Sequence, residues 1–282
     1  MLVSHRTRDE VLGCLATLPA DLPTVVVDTG SGDGTPDAVR AHHPHVQVLE
    51  LANAGYGRGA NAGVRATDAE VVVVANADVR FAPDGPEALA RAVLAAPDVG
   101  LAGPRLVYPD GRPQASARTL PDLSTALGHA LLGRWRPDNR FTRRYRRLDV
   151  DPDRGGDVGW VSGAVLAVRR TAFDAVDGFD PGFPLYVEDV DLAARLGDAG
   201  WRVRFEPVTT VQHRVGVSTV SHRWRTLWWH AVGLDRFASR RYLPGPLRPV
   251  AQPLLRLGLA AWMIVTAVAE RTVGRGRSTT GE

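Results

Sequence analysis

The chain contains no lysine: all 34 of its Lys+Arg positions are arginine. A P-loop ATPase, a Schiff-base enzyme and a pyridoxal enzyme each need a lysine amine, so these classes are excluded at once. Cysteine is almost absent too. Cys14 stands alone among 282 residues, which rules out an intrachain disulfide and suits a reducing compartment. No signal peptide is expected, because Met1 to Glu10 carries charge where an apolar stretch is needed. There is no internal repeat and no low-complexity tract. A hydrophobic content of 44% and a charged content of 23% are ordinary for a globular protein. The length suits one large α/β domain with an extension, or two small domains.

Charge is unevenly spread. Residues 1–78 hold five arginines against ten acids, whereas residues 214–282 hold eleven arginines against three. A basic tail of this kind suits an anionic membrane, a nucleic acid or simply a solvated face.

The first half alternates strand and helix. Residues 1–5, 24–28, 46–51 and 71–75 read as strands, separated by helices over 9–18, 35–42 and 61–67. This rhythm predicts a mostly parallel sheet with helices on both faces. A helix over 85–96 and strands over 100–107, 158–168 and 203–211 continue it. Residues 134–154, rich in Arg, Pro and Asp with few apolar positions, are expected to form a mobile loop. In the tail, 227–242 is a predicted helix. The run 254–269 is apolar except for Arg256 and falls short of the roughly 20 residues of a spanning helix. It reads as an interfacial helix or as one packed on the rest of the chain, and its flanking arginines and Trp262 favour the membrane surface.

Two acidic sites carry the chemistry. Asp78 follows the four valines Val71 to Val74, a run that reads as a strand buried on both faces. It therefore sits past the carboxyl end of a strand, where open α/β sheets bind ligands. The second site is Tyr186-Val187-Glu188-Asp189-Val190-Asp191. It opens the amphipathic run Val190, Leu192, Ala193 and Leu196, closed by Gly200, so its acids lie at a helix N-terminus. One site is suited to hold a divalent cation and the other to take a proton, the equipment of a metal-dependent group-transfer enzyme.

Other motifs carry less. Gly55-Tyr56-Gly57-Arg58-Gly59-Ala60 satisfies a dinucleotide fingerprint but follows the third strand and leaves the second acidic cluster unexplained. Asp149-Val150-Asp151-Pro152-Asp153 starts like a calcium loop, yet position six is Arg154 and position twelve Trp160, so it reads as a solvated acidic loop. His213 follows a predicted strand, and a lone histidine is more often structural than a ligand.

Taken in order, the motifs resemble the family-two inverting glycosyltransferases of GT-A fold, and most closely the bacterial rhamnosyltransferases acting on lipid-linked sugars. The matching pieces are Val3-Ser4-His5, the segment from Val27 to Thr35, Asn53-Ala54-Gly55-Tyr56-Gly57, Asn61-Ala62-Gly63 and Asn76-Ala77-Asp78. They continue through Trp160-Val161-Ser162-Gly163-Ala164, Gly178-Phe179-Asp180, the Glu188-Asp189 run, and His213 with Gly216 and Ser218.

The resemblance implies a GT-A domain over 1–218, Rossmann-like with flanking helices, and a helical basic extension over 219–282. It implies that Ser4 and Asp28 hold the base and ribose of a nucleotide-sugar donor, with Gly55 and Asn76 in the same site. Trp160, Gly163 and Ala164 shape the sugar and acceptor site. Asp78 ligates Mg²⁺ or Mn²⁺, His213 adds a metal or diphosphate contact, and Asp189 is the base, with Glu188 beside it. Asn76-Ala77-Asp78 stands where Asp-x-Asp is common, so only one carboxylate is offered, and Thr29 stands where asparagine is usual. The implied donor is dTDP-rhamnose and the acceptor a polyprenyl-diphosphate-linked sugar. That acceptor implies a peripheral enzyme on the cytoplasmic face of an anionic membrane, with no nucleic-acid partner. The rivals are a nucleotidyltransferase on a related fold and a non-catalytic nucleotide-binding protein. The former wants a basic activating loop near the N-terminus, which the acidic residues 1–78 do not supply.

Overall fold

The computed structural model describes residues 1–133, 135–151, 153–214, 223–243 and 245–277. Two compact units are present: Met1–Gly182 with Glu188–Ser218, and Phe183–Val187 with Thr219–Glu282.

The first unit begins with the expected alternation: β1 (Leu2–Ser4), α1 (Arg8–Leu15), β2 (Val25–Asp28), α2 (Thr35–His42), β3 (Gln47–Glu50), α3 (Tyr56–Arg65) and β4 (Val71–Asn76). It continues with β5 (Val79–Phe81), α4 (Gly85–Leu94), β6 (Val99–Val107), β7 (Ala117–Arg118), α5 (Leu123–Leu132) and α6 (Arg140–Arg146). Then come β8 (Gly156–Asp157), β9 (Trp160–Val161), β10 (Val165–Arg169), α7 (Arg170–Ala175), α8 (Glu188–Asp198) and β11 (Arg202–His213). The main sheet runs β3-β2-β1-β4-β10-β6-β11-β5, with β8 against β11. The block β3-β2-β1-β4 and the β6–β11 pair are parallel. β10, β5 and β8 run antiparallel to their neighbours, so the sheet is mixed. Small strands β7 and β9 pair beside it.

The valine run shows why the sheet has helices on both faces. Val72 and Val74 enter one core with α3, α7 and α8 residues such as Val64, Phe173 and Leu192. Val71, Val73 and Ala75 face the other, with Val11 of α1, Val39 of α2 and Leu89 of α4. A strand covered on both faces has no polar side, so alternation disappears from its sequence.

Asn61 ties the outer layer together. Buried in α3, its amide donates to the Phe179 carbonyl at 2.8 Å and accepts from the Phe179 N–H at 2.9 Å, across 118 residues of sequence. The side chain thereby substitutes for a strand partner and fixes the Gly178-Phe179-Asp180 turn below α8.

Three expectations are corrected. Residues 134–154 are not one loop, since α6 lies within them. Asn139 caps that helix, its side-chain oxygen accepting from the Phe141 and Thr142 N–H groups at 3.0 Å each. Thr142 is fully buried and hydrogen-bonds His129 of α5 at 2.9 Å. The helix packs through polar and aromatic side chains, which an apolar pattern does not reveal. The strand expected over 158–168 is broken at Ser162–Ala164 into β9 and β10. The apolar run 254–269 is part of a much longer helix. The second unit holds α9 (Arg223–Arg241) and the 30-residue α10 (Arg248–Arg277). The stretch Arg248–Ala267 is long and apolar enough to cross a membrane by length and composition alone. Within the unit, Arg256 pairs with Asp235 at 3.1 Å and Trp262 packs on His230 at 5.6 Å. Gly216 and Ser218 lie outside the described residues.

Asn61→Leu keeps the volume and removes both bonds, leaving two buried backbone groups without partners. The expected loss is about 2–4 kcal/mol in urea unfolding. A loss below about 0.5 kcal/mol would mean that packing alone holds the turn.

Candidate active site

Parallel pairing sets Ser4 opposite Asp28 and Val3 opposite Asn76, so three predicted residues share the carboxyl edge of the sheet. Ser4 and Asp28 are both buried. Ser4 Oγ lies 3.1 Å from Thr7 Oγ1, and its carbonyl accepts from both Thr29 N and Thr29 Oγ1 at 2.9 Å. The Asp28 carboxylate accepts from the Ser31 N–H at 2.9 Å and from the Ser31 hydroxyl. Their polar groups fix the loop Thr29–Ser31.

Asp78 and His213 are adjacent through strand register. β11 pairs antiparallel with β5, setting His213 opposite Val79, and Asp78 immediately precedes Val79. The His213 Nε2 to Asp78 Oδ1 distance is 3.5 Å. Gln114 holds the ring from behind. Its amide N–H donates to the His213 carbonyl at 2.7 Å, which leaves its oxygen to face His213 Nδ1 at 3.0 Å. That oxygen only accepts, so Nδ1 carries the proton and Nε2 points its lone pair toward the carboxylate. In neutral histidine this sets two acceptors face to face, an arrangement that a cation between them resolves. Among the described residues no group of three or more His, Cys, Asp or Glu side chains forms a metal cluster.

Asp189 is in the first turn of α8, which forms because Leu192, Ala193 and Leu196 are buried on one face and because three acids complement the helix dipole. Gly200, at φ +87°, ends the chain's helical course where a left-handed residue is needed. Asp189 Oδ2 accepts from the Gly163 N–H at 2.8 Å, and Oδ1 from the Val190 N–H at 2.8 Å. A side chain at position 163 would press on Asp189: a Cβ there would lie 3.2 Å from the Asp189 Cβ. Immediately upstream, Tyr186 and Val187 both have left-handed φ, 69° and 70°. For a β-branched valine this is strained, of the kind found where a fold holds functional groups in place.

Tyr56 joins the two acidic sites. Gly55, at φ 95°, caps the start of α3, and the Tyr56 hydroxyl donates to the Gly163 carbonyl at 2.8 Å. Burial first, then the charges of Glu188, Asp189 and Asp78, raise its pKa, so the phenol remains a donor. Asn76 completes the link by donating its backbone N–H to the Ala164 carbonyl at 2.9 Å. Ala164 is buried and contributes backbone, not an open surface.

The two carboxyls of the pair differ. Glu188 is buried, and its Oε2 has no hydrogen-bond partner. Burial and then the Asp189 charge push its pKa up, favouring the neutral acid. Asp189 is partly exposed. Burial raises its pKa as well and outweighs the opposite pull of the Gly163 and Val190 amides and the Arg118 charge. Arg118 lies over the Trp160 ring at 5.0 Å and the Tyr145 ring at 5.4 Å. Trp160 is buried, with its indole N–H lacking a partner. It backs the Arg118 guanidinium.

Residues 8–167 match the family described as Glycosyl transferase family 2. The chain belongs to that family. This glycosyltransferase is 41% identical over 207 residues to an N-acetylglucosaminyl-diphospho-decaprenol L-rhamnosyltransferase of Mycobacterium tuberculosis, covering 69% of this chain and 67% of the relative. It is 33% identical over 84 residues to the rhamnosyltransferase WbbL of Escherichia coli, or 30% of this chain and 32% of that one. The fold is that of a mannosyltransferase of Pyrobaculum calidifontis solved with GDP-Man and Mn²⁺, at TM-score 0.58 and 21% identity over 98% of this chain and 78% of that one.

The glycosyltransferase's site uses residues that the sequence motifs did not single out: Gln114, Arg118, Ser31 and the Tyr56 hydroxyl. Ser31 and Tyr56 stand inside quoted motifs, with no role attached. Gln114 and Arg118 sit in a segment with no recognisable pattern.

Glu188→Gln tests the burial of that carboxyl. A raised folded-state pKa means that the wild type loses stability as pH climbs from the ordinary carboxylate range through the raised value, when folding must bury the charge. The melting temperature of the variant should therefore gain on the wild type between pH 5 and about pH 8. An equal difference at both pH values would show that Glu188 ionises freely.

Proposed function

We propose that this glycosyltransferase moves a hexose with inversion, L-rhamnose from dTDP-rhamnose, to a hydroxyl of a polyprenyl-diphosphate-linked sugar. The observation that carries the reading is the Asp189 carboxylate, held by two backbone N–H groups, around the same phenol as Asp78. The rhamnose donor and lipid-linked acceptor are supported by the printed activity of the mycobacterial relative.

An acceptor hydroxyl is a poor nucleophile near neutral pH. Asp189, fixed in direction by the Gly163 and Val190 amides and raised in proton affinity by burial, takes its proton as the new bond forms. Glu188, favoured in its neutral form, adds little repulsion to an incoming base-assisted hydroxyl. One base and direct displacement invert the anomeric centre, since retention needs a carboxylate nucleophile on the opposite face. The Thr29–Ser31 loop, shaped by Ser4 and Asp28, and the α3 start at Gly55 supply backbone for the nucleotide.

The donor set suits Mg²⁺ or Mn²⁺. Asp78 Oδ1 and the lone pair of His213 Nε2 would hold the ion, and donor diphosphate oxygens and water would complete a coordination shell that Mg²⁺ seldom draws from protein alone. Bound there, the ion would neutralise the leaving diphosphate. Work on a polyprenyl-linked acceptor places the enzyme at the cytoplasmic membrane face, with the arginine-rich α10 and its exposed Val250, Leu254 and Leu257 against anionic lipid. Reduced flotation with anionic liposomes after removal of residues 243–282 would support that placement, and unchanged flotation would reject it.

Asp189→Asn should keep donor binding and lose turnover by roughly 10²–10⁴-fold. Near-normal turnover would remove Asp189 from the mechanism. Full activity of the wild type in EDTA would end the metal reading without touching the base.

A further inference from the structure

The α5–α6 hairpin enters the chemistry above only through the Tyr145 ring beside Arg118, yet its outer surface is unusual. Residues 134–147 include seven arginines and a single acid, Asp138. On α6, Arg140, Arg143 and Arg144 recur at helical spacing and so share one face. Thr142 is fully buried on another side, and Tyr145 packs on His129 of α5 at 4.8 Å. Arg144 pairs with Asp122 at 3.3 Å and Arg143 with Asp149. Among the described residues no carboxylate pairs with Arg136, Arg140 or Arg146, and all three are exposed.

Trp135, at the tip between the helices, is 81% exposed, the most exposed large apolar side chain among the described residues. Leu132 and Leu148 are exposed as well. A tryptophan in water beside arginines is poorly placed for a solvated face. It is well placed for a lipid headgroup region, where the ring meets the acyl boundary and the cations meet phosphate. The hairpin is also rigid. Asn139 caps α6, the His129–Thr142 bond joins the helices, and the Thr119 N–H donates to the Tyr145 carbonyl at 3.2 Å, beside β7. The surface is thus preformed and does not have to order on contact.

We propose that the α5–α6 hairpin is a membrane-docking surface of the catalytic unit itself, distinct from the C-terminal tail. Trp135 and Leu132 enter the headgroup boundary of an anionic bilayer, and Arg136 and Arg140 meet its phosphates. Charge complementarity selects the anionic surface. The exposed apolar groups argue against nucleic acid, which would use the arginines and leave the leucines in water. Docking does not depend on which sugar is moved.

The test uses the full chain with Trp135→Cys, labelled with an environment-sensitive fluorophore; the native Cys14 is fully buried and does not compete. The label should shift to the blue on phosphatidylglycerol-containing vesicles, not on pure phosphatidylcholine, and high salt should weaken the response. Adding Arg136→Glu and Arg140→Glu should weaken the response on the order of tenfold or more, with the melting temperature unchanged because these side chains are exposed. A silent label while the protein floats with anionic vesicles would overturn the proposal. So would a response to an oligonucleotide with none to vesicles. Loss of the sugar-transfer reading would leave the fluorescence result standing.

Discussion

The hydrogen bond from the Gly163 N–H to the Asp189 carboxylate is the contact on which the site depends. It joins the break between β9 and β10 to the first turn of α8. The same short segment reaches the sheet, because the next carbonyl, that of Ala164, accepts from Asn76 at the end of β4. It also reaches the outer helical layer, because the Gly163 carbonyl accepts from Tyr56. A single glycine thus fixes a carboxylate against a strand end more than a hundred residues away. No other residue fits without pushing on Asp189. The strand break is the structural device that turns the Gly163 N–H toward the acid and the Gly163 carbonyl toward Tyr56.

Placing two carboxyls together with little water costs free energy, and the protein divides the cost unequally. Asp189 receives two amide dipoles and the field of Arg118, while Glu188 has only its own backbone N–H and is buried with one oxygen lacking a partner. Burial raises both carboxyls, and the unequal opposing groups are how neighbouring acids acquire different roles. Arg118 is in turn positioned by Trp160 and Tyr145, so a cation and two rings behind the acid set its charge state. On the far side of the cleft, Gln114 does comparable work by fixing the His213 tautomer.

Much of this was legible in the sequence. The parallel block showed in the alternating pattern, and the acidic site at Asp78 showed because four valines can hardly be anything but a covered strand. α8 showed through its spacing, its acids and Gly200. The Asp78–His213 pairing was implied only by family resemblance, since the register of β11 against β5 depends on pairing across more than a hundred residues. The broken strand at Ser162–Ala164 was missed because its apolar pattern continues through the break. The loop expected over 134–154 hides α6, because that helix is stabilised by a cap, a buried threonine and aromatic contacts. α10 was underestimated in length because arginines at its ends interrupt the apolar run without interrupting the helix. Ser4 and Asp28, which the resemblance implies as nucleotide contacts, are buried and hold the Thr29–Ser31 loop.

The central claim is that one carboxylate acts as base on one side of the transferred sugar, with no second carboxylate as nucleophile. Product stereochemistry addresses it most directly. Proton NMR of the glycoside formed from a defined dTDP-rhamnose anomer and a soluble acceptor analogue should show the anomeric configuration opposite to that of the donor. A product with the donor's configuration would contradict the account, because it would require a covalent or otherwise double-displacement course that Asp189, as placed by Gly163, does not provide.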